Sequence, residues 1–418
     1  MAHLFRTPQY SFIGADALAD AATVFPRFGK KALIVTGQSM IRQGHVATLE
    51  ALLDREGVGH ARFSEITGEP TDTMIDAGLA VYQQEECDFA IGFGGGSALD
   101  AAKAIAVCAQ TGEKITAFRG RAIDGPVAPV VCIPSTAGTG SEATKFTVIT
   151  DTAADEKLLI GGDGLMPTLA IVDPQFSLEM PQSVTVATGM DALAHAIEAY
   201  ASRKAYAESD LFCLAAVKRI FANLPRVYAD GSDAQARSEM ALAAYEAGVG
   251  IANSSVTVVH GLSRPIGALF HVAHGISNAM LLAKTLAYIA DGALDRFAAL
   301  GRAIGVATDA DSDEVSTENS WLLSMRSVRH ARCRPSRNMA SIATRFLHAW
   351  TRWPPMPSPA AVRRTRERRS TKMISCGFTK PLGLTTKRLK FHHYFQSVCL
   401  LQTGYFSCQY LMRFNDYP

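Results

Sequence analysis

The sequence lacks the features that would direct it to a membrane or to an oxidising compartment. No apolar segment approaches the roughly 20 residues that a helix needs to cross a bilayer, and residues 1–14 contain no basic stretch followed by an apolar run. Cysteines form no CxxC pair, and Cys87, Cys108, Cys132 and Cys213 stand in apolar surroundings. We therefore expect a cytoplasmic protein with buried free thiols and no membrane partner.

An excess of charge of either sign is also absent. The net charge is +2 over 418 residues, which gives no reason to expect a nucleic-acid partner. Apolar residues make up 48% of the chain, enough for the cores of two ordinary domains. Acidic residues nearly disappear from the last hundred residues, however, because only Glu367 and Asp416 follow Glu318.

Short apolar runs alternate with helical patterns in the first part of the chain. Strands are predicted at residues 31–36, 62–66, 88–93, 127–133 and 169–172, and helices at residues 43–56, 71–86 and 98–109. This alternation indicates a doubly wound, mostly parallel α/β sheet. From residue 184 only helices are predicted, at residues 184–203, 209–224 and 234–251. We thus predict an α/β domain over residues 1–181 and an all-α domain over residues 182–314.

A glycine-rich turn, Gly94 to Ser97, joins the strand at 88–93 to the following helix. Backbone N–H groups at such a helix N-terminus can bind a phosphate group. The alternative is a plain capped turn, in which Ser97 is the N-cap and Asp100 completes a capping box. The two interpretations are compatible.

A second loop, residues 134–144, is rich in hydroxyl groups and glycine and follows the strand at 127–133. It could bind a dinucleotide through hydroxyl and backbone N–H groups, or be an ordinary surface loop. Two such loops at the ends of parallel strands favour a ligand in the crevice there. Residues 146–149 and 158–160 are predicted to form a small hairpin, from which Lys157 could reach an anionic cofactor.

Asp191 and His195 are four residues apart in a predicted helix, so their side chains project from one face. The pair could be half of a divalent-metal site or an exposed polar pair. His260, His271 and His274 follow near glycines or predicted helix ends. Asp191, His195, His260 and His274 together would supply one oxygen and three nitrogens, a set that suits Fe(II), Zn(II), Co(II) or Ni(II).

Four motifs carry a resemblance to the iron-containing (group III) alcohol dehydrogenases: FGGGSALDAAK at 93–103, PSTAGTGSEAT at 134–144, GMDALAHAIE at 189–198, and VHG with HVAHG between 259 and 275. The resemblance extends from the N-terminus to about residue 305. It implies hydride transfer between NAD(P) and an alcohol or aldehyde, with the active site between a nucleotide-binding domain and a helical domain. It implies that Fe(II), or Zn(II), is held by Asp191, His195, His260 and His274. It implies NAD(P) contacts by Gly95, Gly96, Ser97, Ser135, Thr136, Thr139, Thr144 and Lys157.

Two positions depart from the commoner family pattern. Gly37 stands where many NAD-preferring relatives have an Asp, so the repulsion of a 2′-phosphate is removed and NADP becomes acceptable. Arg264 stands where many relatives have a His near the substrate; it could bind a substrate carboxylate, which leaves His271 as the candidate proton relay. Alternatively, Arg264 pairs with a local acid and His271 caps a helix.

Residues 315–418 do not match the family, being rich in Arg, Pro, Trp and Cys and without helical periodicity. A basic nucleic-acid-binding extension and a disordered tail are two interpretations. We favour a third, a frameshift near residues 315–325 that makes the segment an out-of-frame translation. The leading function is then a metal-dependent alcohol dehydrogenase, with a homodimer expected first. The alternatives are a hydroxyacid-type dehydrogenase or transhydrogenase, and an inactive product.

Overall fold

A computed structural model describes residues 2–270 and 272–319 of the chain. Its eight strands lie in the first part of the sequence, and the predicted strand at 31–36 and the hairpin near 146–160 are confirmed. The strands are β1 (Tyr10–Ile13), β2 (Lys31–Thr36), β3 (Gly59–Phe63), β4 (Phe89–Gly94), β5 (Val130–Pro134), β6 (Phe146–Asp151), β7 (Glu156–Gly161) and β8 (Leu169–Val172).

Six strands form one sheet in the order β1-β8-β5-β4-β2-β3, and all its neighbours are parallel. The strands β6 and β7 form a separate antiparallel hairpin. From β2 the chain proceeds outwards to β3 and then returns to β4 on the other side of β2. The switch point of this doubly wound sheet therefore lies between β2 and β4, which is where such folds bind nucleotides.

Helices cover both faces of the sheet. The α-helices are α1 (Ala17–Ala21), α2 (Gln38–Arg42), α3 (His45–Arg55), α4 (Asp72–Gln84), α5 (Gly96–Thr111), α6 (Gln182–Ala201), α7 (Ala207–Ala229), α8 (Ala234–Asn253), α9 (Val258–Phe270), α10 (His274–Ile289) and α11 (Leu294–Ala303). Alternate residues of β2 point to opposite faces. Leu33 packs in the core that contains Ile105 of α5, whereas Ile34 packs in the core that contains Leu49 of α3.

The helices α6, α7 and α8 pack against one another as the main body of the second part of the chain. Close approach requires small residues: a Cβ added at Gly189 of α6 would lie 2.6 Å from Leu224 of α7, and one added at Gly250 of α8 would lie 2.6 Å from the Cys213 sulfur. Residues of α6 are buried on every side through its central turns, including Asp191 and His195. The predicted all-α character of this part is confirmed for the described residues.

The structure differs from the sequence-based predictions in three places. The helix predicted at 43–56 is α3, and the short helix α2 that precedes it, separated from it by Gly44 with φ +79, was not predicted. The strand predicted at 62–66 is β3, several residues earlier, and β1 was not predicted. Ser97 is not an N-cap, since α5 begins at Gly96 after Gly95 and the Asp100 carboxylate accepts from Ser141 and Val148 instead.

Within the described residues, no helix combines the length and apolar character that a membrane span requires. The four cysteines expected to be buried free thiols, Cys87, Cys108, Cys132 and Cys213, are buried and free. Burial raises the pKa of the Cys132 and Cys213 thiols to about 12, so both are protonated at neutral pH.

Candidate metal centre and cofactor crevice

One carboxylate and three imidazoles converge at the meeting of three helices. Asp191 and His195 project from one face of α6, His260 comes from the first turn of α9, and His274 begins α10. One ligand atom from each of the four residues lies within 4.8 Å of all the others. The sequence-based set is therefore brought together in full, and the alternative of an exposed pair on α6 is wrong, because Asp191 and His195 are buried.

The donor atoms are spaced as a small cation requires. Asp191 Oδ1 lies 3.5 Å from His260 Nε2, 3.6 Å from His274 Nε2 and 4.0 Å from His195 Nε2. Donor atoms about 2.1 Å from a tetrahedrally coordinated cation lie roughly 3.4 Å apart. All three imidazoles present the same ring nitrogen, and His195 Nδ1 is buried without a hydrogen-bond partner. The residues present thus fit a divalent transition metal.

The protonation states of Asp191 and His195 favour the binding of a cation. Burial lowers the pKa of His195 to about 4, against the attraction of Asp191, so this imidazole is neutral at neutral pH and its lone pair is available. Burial alone would raise the pKa of Asp191, but the adjacent imidazoles outweigh it and hold this pKa below its ordinary value. An ionised carboxylate and neutral imidazoles are the forms that bind metals.

Glu198 supports His260 from behind. This fully buried carboxylate accepts hydrogen bonds from His260 Nδ1, from Thr257 Oγ1 at 2.6 Å and from the Val259 backbone N–H at 2.7 Å. Burial would lower the pKa of His260, but Glu198 and Asp191 raise it above its ordinary value. Because Nδ1 donates to Glu198, Nε2 is the nitrogen left to face the centre.

The predicted cofactor residues lie at the carboxyl ends of three adjacent strands. Gly37 follows β2, Gly95 and Gly96 follow β4, and the hydroxyl-rich loop follows β5. The two loops touch: the Ser135 backbone N–H donates to the Gly94 carbonyl at 2.8 Å. The loops expected to bind the cofactor therefore lie side by side at the switch point of the sheet.

Glycine is needed where these loops approach one another. Gly94 has φ +150, and a Cβ added at Gly96 would lie 2.8 Å from Thr139. Gly95 is the N-cap of α5. A Cβ added at Gly95 would have its nearest neighbour, the Thr136 side chain, at 3.6 Å, which is an ordinary contact distance. The first N–H groups of α5, including that of Ser97, are thus accessible to an anionic group.

The hydroxyl-rich loop divides into residues that face the crevice and residues that anchor it. Thr136 Oγ1 is buried without a hydrogen-bond partner, as expected of a group that bonds a ligand, and Thr139 Oγ1 accepts from the Ser141 N–H at 3.3 Å. Ser135 is 8% exposed. The hydroxyl of Thr144, also predicted to contact the cofactor, lies 3.3 Å from the Lys103 ammonium.

Lys103 of α5 is the anchor of this loop. Its buried Nζ donates to the carbonyls of Ser141, Thr144 and Phe146 at 2.6, 2.9 and 3.0 Å. Burial lowers the pKa of Lys103, and the nearby Asp100 is among the groups that oppose this shift. The cation is thus a shared donor that ties the end of the loop and the start of β6 to α5.

The hydroxyl-rich loop also packs on α6, which carries two of the four donors, and on α8. A Cβ added at Gly138 would lie 2.6 Å from the Thr188 carbonyl of α6, and one added at Gly140 would lie 2.7 Å from the Ala244 carbonyl of α8. Asp191 follows Thr188 by less than one helical turn. The cofactor crevice and the metal centre are therefore neighbours.

The remaining predicted residues lie at the edges of the site. Lys157 lies in β7 of the β6–β7 hairpin, and its Nζ forms an ion pair with Glu69 Oε1 at 2.6 Å. Arg264 follows His260 by one turn of α9. Burial lowers the pKa of His274, and the attraction of Asp191 opposes this shift. The charge of Arg264 lowers the same pKa further, so Arg264 lies near the His274 imidazole. His271 lies outside the described residues.

Sequence reasoning missed three polar residues of the site: Glu198, Asn278 and Lys103. Glu198 follows Asp191 by seven residues, so its position on the same helical face was a readable signal. Asn278 follows His274 by four residues on α10, which was a similar signal. Nothing in the sequence pairs Lys103 with the loop that begins more than thirty residues later.

Comparison with known proteins agrees with this geometry. The sequence model of the iron-containing alcohol dehydrogenases matches residues 8–174, and that of the C-terminal part of the Fe-containing alcohol dehydrogenase family matches residues 185–325. The fold and centre define a metal- and nicotinamide-dependent oxidoreductase. The chain belongs to the iron-containing alcohol dehydrogenase family.

Named relatives are similar over most of their length. The NAD-dependent methanol dehydrogenase of Bacillus methanolicus is 39% identical over 303 residues, which are 72% of this chain and 80% of that protein. The 1,3-propanediol dehydrogenase of Klebsiella pneumoniae is 34% identical over 72% of this chain and 79% of its own. A crystal structure of 1,3-propanediol oxidoreductase superposes with a TM-score of 0.78 and 31% identity, over 80% of this chain and 88% of that one. The predicted class, a metal-dependent NAD-linked alcohol oxidoreductase, is confirmed.

Proposed function

We propose that this chain transfers a hydride between a nicotinamide cofactor in the β2–β4 crevice and a small alcohol or aldehyde at the centre formed by Asp191, His195, His260 and His274. The single observation that carries the proposal is the convergence of these four donors within 4.8 Å. The contact of Gly138 with α6 supports it, since it places the cofactor loop beside the helix of two of the donors.

In this proposal the donors, Glu198, the start of α5 and Thr136 have different roles. Asp191 and the three imidazoles hold the cation, and Glu198 fixes the ring of His260. The N–H groups that open α5 receive the cofactor phosphates, and Thr136 Oγ1 supplies a hydroxyl. When bound, the cation polarises the substrate oxygen as a Lewis acid and the nicotinamide exchanges the hydride. The chain's own residues orient both and exclude water from the buried donors.

The donor set supports iron(II) as the resident metal, with zinc(II) as the alternative. Three imidazole nitrogens and one carboxylate oxygen are acceptable to both ions, so selection depends on availability as well as on the site. No thiol takes part, because the four described cysteines lie elsewhere and are protonated or buried. The test below therefore measures both metals.

NADP as well as NAD is proposed as cofactor. Gly37 has extended backbone, φ −112 and ψ 166, and offers no carboxylate to bond a ribose or repel a 2′-phosphate. A Cβ added at Gly37 would have one neighbour within 4 Å, the Ile66 carbonyl, at 3.0 Å. Lys157 stands on the neighbouring hairpin as a cation for the cofactor's anionic groups.

The proposal is tested by metal analysis of the purified full chain together with an NAD(P)H-linked aldehyde assay. The wild-type chain should bind about one iron or zinc per chain and reduce a short aldehyde. Asp191→Asn should lose metal and activity together, whereas Asp54→Asn, an exposed carboxylate on α3, should lose neither. A wild-type level of activity in Asp191→Asn would refute the proposed centre.

Arg264 favours a second candidate, an alcohol or aldehyde that carries a carboxylate. Its guanidinium is near His274 and one turn beyond His260, so a substrate whose oxygen faces the centre could present an anionic group to it. In this scheme His271 stays the predicted proton relay. A marked preference for 4-hydroxybutyrate over a simple alcohol, abolished by Arg264→Met, would support this candidate; equal use of both substrates would reject it.

Two further expectations concern the whole protein. Buried free thiols support a reducing, cytoplasmic location, and a homodimer is the first expectation for the assembly, to be checked by light scattering.

Residues 320–418 lie outside the described residues. We infer for them the frameshift origin given above, supported by the end of the family match at residue 325. Resequencing of the gene tests this, and peptides confirming the frame across residues 326–369 would refute it.

A further inference from the structure

Asn278 occupies a position inside the ring of donors. It follows His274 by one turn of α10 and is fully buried. Its Nδ2 donates to Asp191 Oδ1 at 2.6 Å and lies 3.0 Å from His260 Nε2 and 3.2 Å from His274 Nε2. One amide group therefore touches three of the four donors.

The amide cannot serve its three neighbours equally. A carboxamide nitrogen has two hydrogens, so at most two of the three acceptors receive one. The shortest contact is to Asp191, whose ionised oxygen is also the strongest acceptor. Asn278 Oδ1 is buried without a partner, so the side chain is held at this position by its N–H groups.

Asp191 depends on this contact for its orientation. Its carboxylate extends from α6, and the donor that lies closest to it in the described hydrogen bonds is Asn278 Nδ2, at 2.6 Å, against 3.5 Å for His260 Nε2. A freely rotating carboxylate would present either oxygen, or neither, to the three Nε2 atoms. With Nδ2 bonded to it, Oδ1 is the oxygen that lies 3.5 and 3.6 Å from His260 and His274.

We propose that Asn278 is a positioning residue of the metal centre, which orients the Asp191 carboxylate towards the cation through Nδ2. This inference rests on the proposed function, since it assumes that the four donors hold a cation. Glu198 orients His260 in the same way from the opposite side. Two of the four ligands would then be held by dedicated polar partners, an arrangement that tunes cation affinity in metal sites.

The experiment measures Co²⁺ binding to the metal-stripped full chain by competition with a chromophoric chelator and by the ligand-field absorption of Co²⁺. Asn278→Ala should weaken Co²⁺ binding by roughly 10–100-fold and shift the absorption band. Asn278→Leu fills the volume without donors and should do the same. Asn223→Ala is the matched control, because Asn223 is also buried in a helix but bonds the Arg219 carbonyl.

The outcomes separate this inference from the proposed function. If Asp191→Asn loses Co²⁺ affinity while Asn278→Ala and Asn278→Leu bind within about twofold of wild type, as Asn223→Ala should, then Asn278 is only a core amide and the inference is wrong. If the wild-type chain binds no Co²⁺, or Asp191→Asn binds it unchanged, the proposed centre itself fails. A loss in both Asn278 variants with an unchanged thermal midpoint in Asn278→Leu supports the inference.

Discussion

The Glu198 carboxylate holds His260 by its ring and by its backbone. One oxygen, Oε2, accepts from His260 Nδ1 and, at 3.3 Å, from the His260 N–H. The other oxygen, Oε1, accepts from Thr257 and Val259. Because every acceptor of this fully buried group is used, the carboxylate stays ionised, and its charge is aimed at one imidazole. Burial alone would raise the pKa of Glu198, but the interaction with His260 and these hydrogen bonds hold it below its ordinary value.

The first prediction concerns this pair. Glu198→Gln keeps the shape but removes the charge that makes His260 Nε2 basic, so Co²⁺ affinity should fall by roughly 10–100-fold. Chelator competition measures it. The matched control is Glu239→Gln, which removes a partner of Arg219 on α7. Unchanged affinity in Glu198→Gln would show that the contact is structural only.

The second prediction concerns cofactor choice. Gly37→Asp should lower kcat/KM with NADPH relative to NADH by tenfold or more, because two like charges about 4 Å apart near a protein surface interact by roughly 4 kcal/mol. Gly37→Ala is the control for bulk, since a Cβ alone meets the Ile66 carbonyl at 3.0 Å. The ratio is measured with one aldehyde at several cofactor concentrations. An unchanged ratio in Gly37→Asp would place the ribose elsewhere.

The extent to which the sequence predicts this fold depends on how local each signal is. The strand β2, the helix α4 with its Thr71 cap, and the β6–β7 hairpin follow from short apolar runs and turn residues, and they are correct. The edge strand β1 is only four residues long and half exposed, so it carries no comparable pattern. The helix α2, which lies just before Gly44 with its positive φ, is only five residues long and likewise carries no helical pattern.

The site shows the same division. Asp191 and His195 are linked by helical periodicity, whereas His260 and His274 were singled out by their positions near glycines and predicted helix ends, and the family resemblance assigned all four as ligands. The roles of Asn278 and Lys103 depend on contacts between segments 38 to 87 residues apart, which no local pattern contains. The resemblance implied a cofactor contact for Thr144, but no local pattern indicated that its hydroxyl lies 3.3 Å from Lys103 Nζ.

The third prediction concerns the anchor of the hydroxyl-rich loop. Lys103→Met removes the donor to the carbonyls of Ser141, Thr144 and Phe146. The loop should therefore lose its fixed shape and NADH affinity should fall about tenfold or more, given about 1.5–3 kcal/mol for a charged hydrogen bond. Fluorescence titration of NADH measures it. Lys114→Met removes an exposed lysine paired with Asp76 and should have no effect. A Lys103→Met chain that binds NADH normally would contradict the anchoring role.

The fourth prediction concerns pH and Glu142, a buried carboxylate whose Oε2 has no partner. Burial raises its pKa to about 7, while Lys103 opposes the shift; Tyr245 and Cys132 also face it. A raised folded-state pKa favours the folded chain below the unfolded value near 4.5, and this advantage is lost as the pH rises through about 7.

Glu142→Gln is neutral at every pH. Its free energy of unfolding relative to wild type should therefore increase from pH 5 to pH 8, by about 2–3 kcal/mol at most. Urea denaturation at the two pH values gives this difference, with Glu208→Gln, an exposed residue of α7, as control. A difference that is the same at both pH values would mean that Glu142 is solvated or paired in solution.

The most direct test of the account is anomalous X-ray scattering from a crystal of the full chain, recorded above and below the iron and zinc absorption edges. The account predicts one anomalous peak about 2.0–2.2 Å from Asp191 Oδ1 and from the Nε2 atoms of His195, His260 and His274. A metal-replete crystal with no peak among these atoms, or with a peak bonded elsewhere, would contradict it.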